Sequence, residues 1–407
     1  MWLYNIAIVL YTAAIGVASL WVKKAKLWRD GRKNIFGRMA ETIAPNDRIF
    51  WIHASSVGEF EQGRPIIEKV REEHPEYKIL LTFFSPSGYE LRKNYQGADY
   101  IFYLPVDTPS SVRNFLKIAH PEIAVFVKYE FWLNMLFELR RQNIDTYIVS
   151  AIFRRNSIFF RWYGELWRRA LKSFKIIFVQ NEDSKLLLEE IGIQSGVVAG
   201  DTRFDRVARI AQEVKHNQYI EKFQGNLPLM VAGSTWPPDE ALLIKLIEQN
   251  RGIKFVVAPH EIDSNRIAEL ESIFSSAIRY TQITPETQLE DVQVLILDTM
   301  GQLSSIYRYA SWAYIGGGFG VGIHNTLEAS TFGLPIAFGP KYHKFKEARD
   351  MVQLGSCCSV ANAKELEEWF TPLRDDDKLR EKVSQISHRY TLGNQGASTI
   401  ISENIFE

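Results

Sequence analysis

Short apolar runs alternate with stretches of helical spacing along most of the chain. Such runs predict strands covered on both faces, as in a parallel sheet with helices on either side. In the first half the predicted strands are Ile49–His53, Ile79–Phe84, Tyr100–Leu104, Ile123–Val127, Tyr147–Ser150 and Ile176–Val179. In the second half they are Leu229–Gly233, Phe255–Ala258, Val294–Leu297, Trp312–Ile315 and Leu334–Phe338.

A polar stretch over residues 211–226 interrupts this rhythm. Because 407 residues exceed what one hydrophobic core usually serves, we predict two open α/β domains joined near that stretch. The predicted bounds are 23–212 and 213–407, and the last helix is a candidate to pack back on the first domain. Ligands are expected at the carboxyl ends of strands and in a cleft between the domains.

Residues 1–22 carry no charged side chain and are followed by a basic cluster. This length is sufficient for a helix that crosses a bilayer core of about 30 Å. The basic flank lies after the apolar run, which differs from a cleaved signal peptide and places the remaining chain in the cytoplasm. We therefore predict a single N-terminal membrane anchor; the alternative is a buried core helix. The cluster comprises Lys23, Lys24, Lys26, Arg29, Arg32 and Lys33.

Overall charge is balanced, with 48 Lys and Arg against 48 Asp and Glu. No global basic field favours a nucleic-acid partner, and no acidic excess favours disorder. The two cysteines, Cys357 and Cys358, are adjacent in sequence, too few for a metal site and typical of a reducing compartment. Neither a metal nor a cofactor is expected.

The segment from Trp312 to Glu328 is the most informative in the chain. It predicts a buried strand, a glycine-rich loop and a helix that begins at Asn325. Glycines let backbone amides approach a ligand closely, and a helix N-terminus favours an anionic phosphate. A nucleotide-linked donor therefore suits this loop. The alternative is that Asn325 and Glu328 form only a capping box.

Carboxylates follow two predicted strands of the first domain. Glu59 stands in the first helical turn after the first strand, and Glu130 follows the fourth. Two acids at two strand ends could face one site, although Ser56 and Glu59 also match a capping box. In the second domain His260 and His324 follow strands, where each could equally be a core or capping residue, and no metal-ligand spacing joins them.

Seven short motifs in register resemble those of the 3-deoxy-D-manno-octulosonic acid (Kdo) transferases of lipopolysaccharide synthesis. The resemblance covers essentially the whole chain. The motifs are His53-Ala-Ser-Ser-Val-Gly-Glu59, Tyr129-Glu-Phe-Trp132, Gly200-Asp-Thr-Arg-Phe-Asp205, Ala232-Gly-Ser-Thr235, Asp298-Thr-Met-Gly301, His324-Asn-Thr-Leu-Glu328 and Gly339-Pro340.

The resemblance implies an inverting glycosyltransferase of the GT-B type, with two Rossmann-like domains. It implies CMP-Kdo as donor, a lipid A precursor as acceptor and a place at the cytoplasmic face of the bacterial inner membrane. Glu59 matches the general base, and Glu130 and Arg203 match residues that stabilise the transition state. The positions matching donor-binding residues are Ala258, Pro259, His260, Met300, Gly301, Gln302, Asn325, Thr326, Leu327 and Glu328.

Several positions depart from the family pattern and redistribute charge at the donor site. Ala258-Pro259-His260 stands where Pro-Arg-His is usual, so one arginine near the nucleotide is absent. Gln302 and Lys128 each stand where a Glu is usual, Arg203 replaces a Lys, and Ile323 interrupts a Gly-Gly-His-Asn sequence.

Residues 158–172 mix aromatic and basic side chains at helical spacing. This composition suits an anionic membrane or a phosphorylated glycolipid, but also an ordinary amphipathic helix packed on the sheet. Two other functions remain open: a sugar-nucleotide epimerase of the same architecture, and a membrane-tethered binding protein without catalysis.

Overall fold

The computed structural model describes residues 1–213, 216–274 and 276–407. The chain divides into two compact units, one formed by residues 1–206 with 395–407 and the other by residues 207–394. The last segment of the chain thus belongs to the first unit.

The first unit is built on a parallel sheet with strand order β3-β2-β1-β4-β5-β6-β7 among its described residues. The boundary with the second unit falls inside α10. The elements up to that boundary are α1 (Trp2–Ala18), α2 (Lys23–Gly31), α3 (Ile35–Thr42), β1 (Arg48–Ala54), α4 (Val57–Glu73), β2 (Tyr77–Phe83), α5 (Pro86–Arg92), β3 (Tyr100–Tyr103), α6 (Pro109–Ala119), β4 (Pro121–Val127), α7 (Leu133–Arg141), β5 (Asp145–Ala151), α8 (Glu165–Leu171), β6 (Ile176–Val179), α9 (Glu182–Glu190), β7 (Gly196–Val198) and α10 (Arg203–Gln212).

The second unit is also built on a parallel sheet, with strand order β10-β11-β9-β8-β12-β13-β14 in the part that the structure describes. Its order differs from that of the first sheet in that β11 lies between β10 and β9. Its elements are α11 (Gln218–Gln224), β8 (Leu229–Thr235), α12 (Pro237–Gln249), β9 (Lys254–Pro259), α13 (Ser264–Ile273), β10 (Ala277–Arg279), β11 (Val294–Ile296), α14 (Leu303–Ile306), β12 (Trp312–Ile315), α15 (Leu327–Ser330), β13 (Ile336–Phe338), α16 (Lys346–Leu354), β14 (Cys357–Ser359), α17 (Ala363–Asp375) and α18 (Asp377–Gly393); α19 (Ala397–Phe406) returns to the first unit.

Successive side chains of a strand point to opposite faces of the sheet. Each strand therefore contributes side chains to a hydrophobic cluster on either face. In β1, Trp51 joins one hydrophobic cluster of the first unit, while Phe50 and Ile52 join the other. Helix α19 closes the second cluster, with Ile401 buried and Phe406 stacked on Phe50 at 6.0 Å between ring centroids. The continuous apolar runs of the sequence reflect this two-sided burial.

The strand order reverses direction between β1 and β4 in the first unit and between β8 and β12 in the second. Such a switch point opens a crevice at the carboxyl ends of the two strands, where α/β sheets bind ligands. The residues that follow these four strands are therefore the first candidates for a site.

The predicted two-domain α/β fold is confirmed, and the apolar runs coincide with strands of the structure. Three strands were missed: β7, β10 and β14. Each has three residues, and one of the three is Gly196, Arg279 or Ser359, so no apolar run stands out. The equally short β11 and β13 were predicted because they lie within longer apolar runs.

The N-terminal segment differs from the prediction. No helix among the described residues combines the length and apolarity needed to cross a membrane. The predicted spanning helix over residues 1–22 is not found, because α1 ends at Ala18 and a turn leads into α2. One side of α1 is held on the first unit by polar contacts: Tyr4 donates its hydroxyl to Asp107 at 2.6 Å, and the Asn5 side chain accepts from Asn134 at 2.8 Å.

Candidate active site

Glu59 lies at the N-terminus of α4, directly after the switch-point strand β1. Its Oε2 accepts hydrogen bonds from the backbone N–H of Ser55 at 2.6 Å and of Ser56 at 3.1 Å, and Ser56 Oγ accepts from the Glu59 N–H. The capping box expected as an alternative is therefore formed. In the described part of the chain Oε1 has no hydrogen-bond partner, so capping uses only half of the carboxylate.

Glu130 lies in the loop after β4, the other strand of the switch point, and is 8% exposed. Its Oε2 accepts from Trp132 Nε1 at 2.7 Å and lies 3.2 Å from Nε2 of the buried His53. These contacts come from the end of β1 and from the loop itself. They fix the position of a buried carboxylate beside Glu59.

The two carboxylates act on each other electrostatically. Burial raises the pKa of Glu59, and the nearby charge of Glu130 raises it further, against the lowering effects of the hydrogen bonds from the Ser55 and Ser56 N–H groups. A carboxylate with a raised pKa is a stronger base, as general base catalysis near neutral pH requires. The structure thus brings Glu59 and Glu130 together as the sequence suggested.

Arg203, the first residue of α10, is turned toward a neighbouring acid. Its Nε and Nη2 donate to Asp201 Oδ2 at 2.9 and 2.7 Å, and its backbone N–H donates to Asp201 Oδ1 at 3.0 Å. Asp201 also accepts from Gln62 of α4 at 3.4 Å. The guanidinium is therefore oriented by a partner that sequence reasoning did not single out.

In the second unit the glycine loop after β12 is held by a buried acid. Asp239 of α12 accepts from the backbone N–H of Gly317 at 2.9 Å and of Trp236 at 2.9 Å, and from the hydroxyl of Tyr314. A Cβ on Gly316 would lie 2.2 Å from the Ser234 carbonyl oxygen, so only glycine allows this approach to the end of β8. Asp239 was not predicted, because no local pattern shows that it bonds to the Gly317 N–H.

Three aromatic rings stack at the same edge of the second sheet. The His260 ring lies 4.8 Å from Trp236 and 4.4 Å from His324 between centroids. Trp236 Nε1 donates to His324 Nε2 at 3.2 Å. Burial, aided by His260, lowers the pKa of His324 to about 4, so this ring is neutral near pH 7. Trp236 was not predicted, since a lone tryptophan carries no motif.

The segment after the glycine loop forms a single helical turn that begins at Leu327, two residues later than predicted. Asn325 donates its side-chain N–H to Glu328 Oε1 at 3.0 Å and accepts from the Leu327 N–H. Glu328 Oε2 accepts from the Ser304 hydroxyl at 2.5 Å. Thr326 is buried, and its hydroxyl has no partner within the described residues.

The remaining predicted donor-binding residues differ in exposure. Ala258 and Pro259 end β9 and are buried, and Leu327 is fully buried, so its side chain belongs to the core. Met300 is 83% exposed, and Gly301 has a φ of +83° in the turn before α14. Gln302 bonds to the side chains of Thr299 and Asn217.

Residues 158–172 do not form one continuous helix. A short 3-10 helix over Ile158–Phe160 is followed by a turn and then by α8. A Cβ on Gly164 would lie 2.0 Å from the Ile158 carbonyl oxygen, which shows how tightly this turn closes. The turn leaves Trp162 90% exposed, whereas Phe159 packs into the core.

Solved structures share this fold. The chain is similar to UDP-GlcNAc 2-epimerase from Neisseria meningitidis bound to UDP-GlcNAc, with 18% identity, a TM-score of 0.63 and coverage of 88% of this chain and 99% of that one. It is also similar to the glycotransferase of kitacinnamycin, with 11% identity, a TM-score of 0.52 and coverage of 88% and 99%. At these identities the likeness concerns the fold alone.

Sequence comparison points to a narrower group. Residues 30–206 match the family described as 3-Deoxy-D-manno-octulosonic-acid transferase (kdotransferase). The chain is 26% identical to a 3-deoxy-D-manno-octulosonic acid transferase of Aquifex aeolicus (strain VF5), over 84% of this chain and 91% of that protein. It is 24% identical to one of Haemophilus influenzae, over 94% and 92%. The resemblance to Kdo transferases is confirmed over most of the chain.

Proposed function

We propose that this protein is a glycosyltransferase that moves Kdo from CMP-Kdo to a lipid A precursor in lipopolysaccharide synthesis. The similarity to Kdo transferases over most of the chain supports the reaction class. The observation that carries the mechanism is the Glu59 carboxylate, whose Oε2 caps α4 while its Oε1 stays without a partner among the described residues. One oxygen positions the group, and the other is available for a proton.

In the proposed reaction Glu59 takes the proton from an acceptor hydroxyl. That oxygen forms a bond to the anomeric carbon of Kdo while the bond from this carbon to the CMP phosphate oxygen breaks. CMP leaves with the electron pair, and a single displacement inverts the anomeric centre. A positioned base of raised pKa contributes most when the acceptor is an unactivated alcohol.

Glu130 and Arg203 are proposed to stabilise the transition state, Arg203 through the donor carboxylate or the leaving phosphate. The donor nucleotide is assigned to the second unit, on the glycine loop, the ends of β9 and β11 and the Asn325–Glu328 turn. Because α15 is one turn long, individual N–H groups matter more there than a helix dipole. Glu328 is the proposed acceptor for ribose hydroxyl protons.

The protein is proposed to attach to the cytoplasmic face of the inner membrane through α1 and the following turn. The outer side of this segment is apolar, with Leu10 64%, Leu20 68% and Trp21 77% exposed. Lys23, Lys24 and Lys26 follow directly, where they suit anionic headgroups. A helix lying in the interface accounts for exposed apolar residues on an element too short to span.

Vesicle sedimentation tests the attachment. The full chain is expected to sediment with anionic phospholipid vesicles, and Leu10→Ser with Trp21→Ser is expected to weaken this. Leu392→Ser, an exposed leucine of α18, is the matched control. Equal sedimentation of all three proteins contradicts attachment through α1.

The enzyme assay supplies the protein with CMP-Kdo generated in place and a lipid A precursor, followed by mass spectrometry of the lipid. We expect the lipid mass to increase by one or more Kdo residues. An unchanged lipid, with CMP binding intact, contradicts the proposed transfer.

A further inference from the structure

A chain of buried hydrogen bonds runs across the first sheet and ends on Glu130. Trp51 Nε1 lies 2.8 Å from Thr82 Oγ1, and Thr82 Oγ1 lies 2.9 Å from His53 Nδ1. His53 Nε2 lies 3.2 Å from Glu130 Oε2. Trp51, Thr82 and His53 are each fully buried, so water does not compete for these groups.

The direction of this chain follows from which groups can donate. An indole nitrogen only donates, so Thr82 Oγ1 accepts from Trp51 and keeps its own proton to give. We assign that proton to His53 Nδ1, which lies 2.9 Å from Thr82 Oγ1 and 3.1 Å from the Thr82 main-chain carbonyl oxygen. With Nδ1 accepting, the neutral ring carries its proton on Nε2, which then donates to Glu130 Oε2.

We propose that Thr82 and His53 are positioning residues that fix the His53 tautomer and thereby hold Glu130 as an oriented carboxylate beside Glu59. Neither residue needs to touch substrate for this role. The inference deepens the proposed function, because it rests on Glu59 acting as the base of that site.

The contacts of Glu130 show how these hydrogen bonds orient its carboxylate. Oε2 accepts from both His53 and Trp132, which leaves Oε1 without a partner in the described residues. The His53 ring is also held edge-on against Phe126 at 5.9 Å between centroids. Register supports the arrangement, since His53 and Thr82 are direct partners in the pairing of β1 with β2.

Thr82→Val removes the hydroxyl while keeping the shape of the side chain. His53 Nδ1 then has one remaining neighbour, the main-chain carbonyl of residue 82 at 3.1 Å, to which it can only donate. A neutral ring in that tautomer turns the Nε2 lone pair toward Glu130 and no longer donates to it. Glu130 then keeps only the hydrogen bond from Trp132 and is no longer held beside Glu59 by two donors.

Nuclear magnetic resonance of the wild-type protein labelled with ¹⁵N-histidine tests the tautomer without any activity. The His53 signals, identified by their absence in His53→Gln, should show a protonated Nε2 and an unprotonated Nδ1 at pH 7. Thr82→Ser should keep this pattern, and Thr82→Val should change it. A protonated Nδ1 in the wild-type protein overturns the proposal, whether or not Kdo transfer is observed.

The pH profile of kcat/KM provides the second readout. The titratable groups acting on Glu59 are Glu130 and His53, and the charge of Glu130 raises the pKa of Glu59. Thr82→Val should therefore move the acid limb of the profile to lower pH by roughly one unit, while Thr82→Ser leaves it in place. If Thr82→Val lowers kcat/KM but leaves the acid limb of its pH profile in place, Thr82 serves only in packing and the proposal is overturned.

Discussion

The two switch points of the molecule share a topology and differ in chemistry. At the ends of β1 and β4 the first unit places the carboxylates Glu59 and Glu130 and the buried ring of His53. At the ends of β8 and β12 the second unit places glycines, with Trp236 and His324 beside them. One edge is built from ionisable side chains and the other from backbone and neutral rings.

The difference shows that the same kind of switch point can carry two different sets of side chains. In the first unit backbone N–H groups hold the Glu59 carboxylate, and the side chains of His53 and Trp132 hold that of Glu130, which suits proton transfer. In the second unit Asp239 holds the glycine loop through a hydrogen bond from the Gly317 N–H. The strand order locates the crevice, and the loop residues decide its chemistry.

The largest expected effect on activity is at the switch point of the first unit, where the two carboxylates lie. Glu59→Gln should lower kcat by roughly 10²- to 10⁴-fold, the usual contribution of a general base. The amide oxygen can still accept from the Ser55 and Ser56 N–H groups, so the fold and CMP binding should be kept. Steady-state kinetics and calorimetric titration of CMP measure the two quantities.

Glu73→Gln, at the far end of the same helix, is the control and should keep full activity. Comparable turnover in Glu59→Gln and wild type would leave Glu59 with its capping role alone.

Glu328→Ala tests whether a carboxylate of the second unit contributes to CMP binding. Loss of a ribose hydrogen bond to a carboxylate should weaken CMP binding by about 1–3 kcal/mol. Ser304→Ala, which keeps the carboxylate and removes only its hydroxyl partner, should retain the affinity. If Glu328→Ala instead lowers the melting temperature without changing the affinity, the nucleotide contacts lie on the backbone of the loop.

The close approach of Gly316 to the Ser234 carbonyl group can be tested by a substitution that adds one methyl group. In Gly316→Ala the Cβ would lie 2.2 Å from the Ser234 carbonyl oxygen, a backbone atom that cannot move aside alone. Overpacking of this kind should reduce the free energy of unfolding by about 1–3 kcal/mol. In Gly320→Ala the nearest atom is 3.5 Å away, so this variant should unfold like wild type in urea. Equal loss in both variants means that the contact is not the cause.

The smallest expected effect is the pH response of the neutral ring. The pKa of His324 is lowered to about 4, below its ordinary value of 6.5, so the unfolded chain binds a proton more readily there. Above pH 6.5 His324 is neutral in both the folded and the unfolded chain. As the pH falls from 6.5 toward 4 the unfolded chain takes up a proton there first, so the folded state loses stability. His324→Gln should flatten that part of the melting-temperature profile. Parallel profiles for His324→Gln and wild type contradict the shift.

The sequence alone was sufficient for the two-domain fold. Apolar runs of strand length, separated by helical spacing, depend only on local periodicity and on burial of both faces. The position of Glu59 at a strand end and the glycines after Trp312 are local signals of the same kind. The predicted spanning helix is not found among the described residues. Apolar composition also does not reveal that Tyr4 and Asn5 bond to residues of the first unit.

Only the tertiary structure decided which residues act together. The capping box and the general base competed as explanations of Glu59 in the sequence, yet the structure lets Oε2 cap the helix while Glu130 acts on the same carboxyl. The contacts of His53 with Thr82 and Glu130 join residues 29 and 77 positions apart. No local pattern encodes them, because they arise from strand register and from loops that meet at the edge of a sheet.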